Sequence, residues 1–212
     1  MRLISLNTGG PRQVKTHRET VRTSIWKSPR EGRLHVATLN IDGDEQSDLT
    51  VHGGTYKAVY CYPSEHYAYW REQLPGMDLP WGVFGENLTT EGLLETGVCI
   101  GDRMQIGTAE FQVTQPRSPC FKLGIRFGRD DMIKRFLASR RSGFYVSVLR
   151  EGDIARGDGI RIVERAAGSM SVSDIFALYF DDEGKEEEVR RAAGLAGLSP
   201  SWRNHFGERA SS

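Results

Sequence analysis

A thiol held between prolines is the residue in this chain best placed to do chemistry. Residues 114 to 123 read Thr-Gln-Pro-Arg-Ser-Pro-Cys-Phe-Lys-Leu. Glu110 to Thr114 alternates, with Phe111 and Val113 apolar, as a half-buried strand does. Pro116 and Pro119 then remove two backbone donors and fix φ, which denies the stretch between them both helix and ladder. From Cys120 to Phe127 the spacing turns helical, with Leu123 and Phe127 four apart. Cys120 thus falls where a strand has ended and a helix begins. A helix N-terminus favours an anion, and Arg117 and Lys122 add positive charge close by. Both effects favour the thiolate, the form that attacks electrophiles or binds soft metals. An arbitrary cysteine is more often a small buried hydrophobe; the proline clamp and the flanking cations weigh for a functional thiol here.

Two other stretches offer binding chemistry. His52-Gly53-Gly54, followed by Lys57, has the makings of an anion cradle, because glycines let backbone N–H groups approach closely and Lys supplies charge. Its plain alternative is a tight turn before a strand. Phe84-Gly85-Glu86-Asn87-Leu88 sets an amide after a glycine, and Asn87 offers both donor and acceptor to a pterin or purine edge. The same residues also read as a turn entering a strand. His17, His35, His66 and His205 have no metal-binding spacing, and neither a phosphate-binding glycine loop nor a Ser-His-Asp pattern is present. Cys61 and Cys99 lie in apolar runs and read as buried strand residues without chemistry.

The elements that must position these groups are mostly short strands. Arg2 to Asn7, Val21 to Trp26, Leu34 to Leu39, Lys57 to Tyr62, Asn87 to Thr90 and Gly97 to Ile100 read as strands. So do Met104 to Ile106, Glu110 to Thr114, Phe144 to Leu149 and Gly159 to Val163. Gly152-Asp153 and Gly157-Asp158 mark turns, and residues 41 to 54 a loop. Helices are expected from Ser64 to Leu74, from Cys120, and from an Asp130 cap to Ser139. The pattern predicts a mainly β, barrel-like domain over residues 1–165 with inserted helices. Over residues 168–210 it predicts a small three-helix appendage, with Ser199-Pro200 starting its last helix. Val172, Ile175, Phe176 and Tyr179 make a stripe expected to meet the barrel or a second subunit of a homodimer, and to line the substrate entrance.

The 212 residues carry 28 basic and 28 acidic side chains, which speaks against a nucleic-acid polymer as partner. The charges are segregated, however. Residues 1–40 and 117–141 are basic and residues 41–102 acidic, as if the basic segments met around an anion. Three widely spaced cysteines and no apolar run of membrane-spanning length point to a cytoplasmic location and no membrane partner.

Taken together these segments resemble the MOSC domain family, in its YiiM-like branch. The carriers are Gly43-Asp44-Glu45-Gln46 with His52-Gly53-Gly54, then Tyr62-Pro63-Ser64-Glu65-His66-Tyr67 and Phe84-Gly85-Glu86-Asn87-Leu88. Gly101-Asp102, Gln115-Pro116-Arg117-Ser118-Pro119-Cys120 and the tail with Ala192-Ala193-Gly194-Leu195 complete them. The resemblance implies a MOSC-type β-barrel and a cysteine, matching Cys120, that ligates molybdenum of a molybdopterin-type cofactor. It also implies reduction of N-hydroxylated compounds, hydroxylaminopurine-type base analogues among them. On that reading His52, Gly53, Gly54, Lys57, Asn87, Arg117, Ser118 and Lys122 bind the cofactor. With no flavin or nicotinamide motif, electrons are expected from a separate reductase. Two alternatives remain at this point: a sulfur carrier holding a Cys120 persulfide, and a non-catalytic anion-binding module.

Overall fold

The computed structural model describes residues 1–17, 19–47, 53–180 and 185–211. The chain opens with strands β1 (Arg2–Thr8), β2 (Arg12–Lys15), β3 (Thr20–Thr23), β4 (Ser28–Pro29) and β5 (Arg33–Val36). A 3-10 turn at Thr55–Lys57 leads to β6 (Val59–Pro63), helix α1 (His66–Gln73) and β7 (Leu88–Glu91). The hairpin β8 (Arg103–Ile106) and β9 (Ala109–Pro116) precedes α2 (Phe121–Phe127) and α3 (Met132–Ser139). Strands β10 (Phe144–Arg150), β11 (Gly152–Ala155) and β12 (Ile160–Glu164) follow. Helices α4 (Val172–Phe180), α5 (Glu186–Ala193) and α6 (Pro200–Ala210) end the chain.

Eight strands form one mixed sheet in the order β12-β8-β9-β10-β6-β7-β1-β4. Among the described residues only β6 and β7 pair in parallel. The barrel expected from the strand pattern is met as far as this mixed sheet: no continuous ladder joins its edges. The start of β12 meets β1 through one isolated bridge, Arg2 to Gly159, and flanking backbone bonds such as Leu3 N–H to the Asp158 carbonyl at 3.0 Å. Two small two-stranded sheets, the β2-β3 hairpin and the long-range pair β11-β5, lie outside it. Two expectations change with this. Gly152-Asp153 starts a strand rather than a turn, because it pairs with Val36 and His35. Residues 97–100 form turns and contribute only a single bridge, Cys99 to Ser171. Cys99 is accordingly half-buried and not a strand residue.

β6 explains the layering. All five of its residues are buried. Val59 and Cys61 face a core shared with Leu3, Phe111, Val113 and Phe144, while Tyr60 and Tyr62 face a second, aromatic core with Trp70, Phe84, Leu123, Phe127 and Phe136. Alternation sends successive side chains to opposite faces, so a strand covered on both reads as continuously apolar. Helices α1, α2 and α3 cover the Tyr60 face. The tail helices cover the other core: Val172, Ile175, Leu178, Val189, Trp202 and Phe206 belong to the same cluster as the sheet. Gly197 lies directly on Gly101; a Cβ there would stand 2.6 Å from the Gly101 Cα.

Candidate cofactor site

The proline clamp behaves as its composition requires. β9 ends at Pro116, and Cys120, extended at φ −127° and ψ 171°, is the N-cap of α2. Its carbonyl accepts the Leu123 N–H at 2.9 Å. The helix ends at Gly128, which supplies the left-handed conformation (φ 62°). Cys120 stands half-buried in the wall of a cavity with Lys27, Lys57, Arg117 and Lys122. Tyr60, Tyr145, Asp44, Glu45, Gln46 and Asn87 complete much of the lining.

The cations are held differently. Arg117 is buried and donates to the Phe84 carbonyl at 2.6 Å, with its guanidinium carbon 4.8 Å from the Tyr60 ring centroid. Its backbone N–H donates to the Gly143 carbonyl at 3.3 Å. Lys27 is ion-paired with Asp44, and its side chain is 8% exposed. Burial pushes the Lys27 ammonium below the ordinary lysine value, against the pull of Asp44. Burial likewise lowers Lys57, against the attraction of a thiolate at Cys120. The phenols of Tyr60 and Tyr145 are pushed up by burial and stay protonated at neutral pH, so both remain hydrogen-bond donors.

Several expected residues meet here and others do not. Cys120, Arg117, Lys57, Lys122 and Asn87 line one cavity. The Asn87 amide is already committed: Oδ1 accepts the Tyr60 N–H at 3.1 Å and Nδ2 donates to Asp44 at 2.9 Å. It therefore positions the Lys27–Asp44 pair. Ser118 is exposed and lies outside the lining. Gly54 adopts φ 88°, and its N–H donates to Gln46 Oε1 at 2.9 Å; neither it nor Gly53 lines the cavity. His52 lies outside the described residues. Sequence reasoning did not single out Lys27, Tyr60 or Tyr145. Lys27 follows Trp26 in an ordinary strand-like run, and no local spacing marks it. Among the described residues no tail residue lines the cavity, so the expectation that the tail walls the entrance is not met.

Glu86, next to Asn87, is fully buried and structural. It accepts from the Tyr67 hydroxyl, Gly82 N–H (2.8 Å), Phe84 N–H (3.1 Å) and Thr89 Oγ1 (3.0 Å). This clasp fixes the turn that carries Gly85 and Asn87 into the cavity wall. A Cβ on Gly85 (φ 83°) would lie 2.8 Å from Ile25 Cγ1.

The donor set suits a sulfur-ligated metal carried by an anionic group. One thiol faces four cations, of which Asp44 neutralises one, and two phenols stand beside them.

A family model described as MOSC domain matches residues 48–161, and one described as YiiM-like, 3-alpha helix domain matches residues 170–212. The chain is 38% identical over 204 residues to protein YflK of Bacillus subtilis (strain 168), covering 96% of this chain and 92% of that protein. It is 37% identical over 158 residues to a protein of Gibberella moniliformis (strain M3125 / FGSC 7600) named Reductase, covering 73% of this chain and 28% of that longer protein. The crystal structure of YiiM from Geobacillus stearothermophilus matches with a TM-score of 0.83 at 35% identity, covering 99% of this chain and 98% of that one.

Proposed function

Because the chain belongs to the MOSC domain family, with the YiiM-like three-helix domain behind it, we propose that it binds a molybdopterin-type molybdenum cofactor and reduces N-hydroxylated compounds, hydroxylaminopurine-type base analogues among them. The observation that carries this reading is the Cys120 thiol in a wall with Lys27, Lys57, Arg117 and Lys122. The Gibberella relative named Reductase supports an oxidoreductase. When bound, the cofactor would supply the two electrons that, with two protons, convert an N-hydroxyl group to an amine and water.

The chain's own residues do the rest. The Cys120 thiolate is the metal ligand, a soft donor for a sulfur-rich centre. Arg117, Lys57 and Lys122 attract the cofactor's anionic groups, and Arg117, buried and stacked on Tyr60, does so at a fixed place. The Tyr60 hydroxyl donates to the Ser142 carbonyl at 2.8 Å, which holds its ring under the guanidinium. Tyr145, protonated and facing the cavity, is a hydrogen-bond donor to substrate. A separate reductase delivers the electrons. The sheet-bearing unit and the tail divide the labour, with the cavity on the first and core coverage on the second.

Molybdenum content of protein made in a cofactor-producing host tests the reading. Wild type carries the metal; Cys120→Ala loses it and its reductase activity while circular dichroism is unchanged. Metal-free wild-type protein with cyanide-labile sulfur would instead make Cys120 a persulfide carrier.

A further inference from the structure

Two residues of the cavity wall lean on one turn, and that turn is held from behind. Arg117 and Tyr60 both line the cavity. The Tyr60 hydroxyl donates to the Ser142 carbonyl at 2.8 Å, and the Arg117 backbone N–H donates to the Gly143 carbonyl at 3.3 Å. Gly143 lies one residue before β10, turned at φ 61°, and its own N–H donates to Glu95 Oε1 at 2.6 Å. Glu95 comes from the connection between β7 and β8 and is buried. His66, the first residue of α1, brings its Nε2 to 2.9 and 2.8 Å from the two Glu95 oxygens. A carboxylate only accepts, so Nε2 is the donor. The Tyr62 ring packs edge-on against the imidazole, with centroids 5.3 Å apart. Burying a carboxylate beside an imidazole carries a desolvation cost that apolar residues of the same volume avoid. The pair therefore calls for a task beyond stability, and the turn in front of it supplies one.

We propose that Glu95, with His66 holding it, is a positioning residue for the cofactor. It sets the Ser142-Gly143 turn and, through that turn, the places of the Arg117 guanidinium and the Tyr60 ring. This rests on the reading of the cavity as a cofactor site. Glu95 itself does not line the cavity. The Arg117 side chain is also held at its head, by the Phe84 carbonyl at 2.6 Å and the Tyr60 hydroxyl at 3.4 Å. A cation fixed at both ends pays little ordering entropy when an anion arrives. Removal of the Glu95 carboxylate leaves the Gly143 N–H unpaired in a buried place. The turn then shifts, and both cavity residues lose a common anchor.

The rate of molybdenum loss on dialysis of the loaded full chain tests this, with the molybdenum(V) paramagnetic resonance of the reduced protein beside it. Glu95→Ala should lose the metal about tenfold or more faster than wild type. Glu95→Gln keeps an acceptor for the Gly143 N–H and should lose it at an intermediate rate. At equal metal content the Glu95→Gln resonance should be displaced from that of wild type. Val189→Ala opens a gap in the tail-side core and lowers stability with the turn untouched, so it should keep the wild-type rate and resonance. If Glu95→Ala does not fold, Glu95→Gln and His66→Ala carry the same comparison. Wild-type rate and resonance in every folded Glu95 and His66 variant overturn the proposal. So does metal loss from Val189→Ala as fast as from the Glu95 variants, since stability alone would then explain it. Failure of the cavity reading shows separately, as molybdenum retained in Cys120→Ala.

Discussion

Three cysteines with the same side chain meet three different fates. Cys61 is fully buried in β6, and burial pushes its thiol far above the ordinary range. Cys99 is half-buried, and its thiol is raised by burial and by the neighbouring Asp102. Cys120 alone shares a wall with four cations. Alkylation at neutral pH should therefore modify Cys120 first, read by mass spectrometry of the labelled peptides. Labelling of Cys61 at a comparable rate would contradict the burial argument. Glu86 makes a second prediction at this scale. Burial raises its carboxyl above the usual range of about 4.3. The native state then holds the proton more tightly than the unfolded chain, so Glu86 favours folding in acid and this contribution is lost as pH rises through the raised value. Wild type should thus lose stability relative to Glu86→Gln as pH climbs from about 4, measured by urea unfolding at a series of pH values. Glu86→Ala, which strands the Tyr67, Gly82, Phe84 and Thr89 donors, should cost about 3–5 kcal/mol.

At the scale of elements, the cavity is where a strand pair, a turn and a helix start converge. Asn87 substitutes for a ladder bond between β6 and the strand after it and reaches across to Asp44. The Gly143 carbonyl, just before β10, receives the Arg117 N–H. Gly143 adopts φ 61°, and a Cβ there would lie 2.5 Å from the Cys61 carbonyl oxygen and 2.8 Å from the Tyr62 ring. Gly143→Ala combines a left-handed backbone with a clash against backbone that cannot move aside. We expect a loss of roughly 2–4 kcal/mol and weaker retention of molybdenum, because Arg117 loses its backbone anchor. Unchanged thermal stability in this variant would show that β6 and β10 can part without cost.

Over the whole molecule, the three-helix tail also walls the core. Its apolar side chains share one cluster with the sheet, and the α4 start is tied to residues 95–98 by Val172 N–H to the Val98 carbonyl (2.9 Å) and Ser173 N–H to the Glu95 carbonyl (3.1 Å). The Glu95 carboxylate accepts from Gly143 N–H at 2.6 Å and lies 2.8 Å from His66 Nε2. Tail docking and the Arg117 loop thus share Glu95 as a common support. Gly197→Leu forces a side chain into Gly101 and should undock the tail. The expected signs are a lower melting temperature and faster proteolysis between residues 185 and 211, with Cys120 still able to hold metal. Metal loss with the tail still docked would place the tail in the cofactor site.

What the sequence determined by itself is what local chemistry decides. Two prolines around Arg117-Ser118 permit little but an extended clamp, and Leu123 and Phe127 four apart permit a helix after it, so the place of Cys120 was legible. The tail helices were legible for the same reason, from periodicity and the Ser199-Pro200 start. The tertiary structure decided everything that depends on which faces meet. How the sheet's edges meet turns on whether β1 and β12 form a continuous ladder or one bridge with flanking backbone bonds, and no strand carries that information in its own pattern. The fourth cation, Lys27, is held at the cavity by Asp44, which Asn87 holds in turn from a distant segment. Long-range convergence of that kind is set by packing, and packing leaves no periodic mark on the chain.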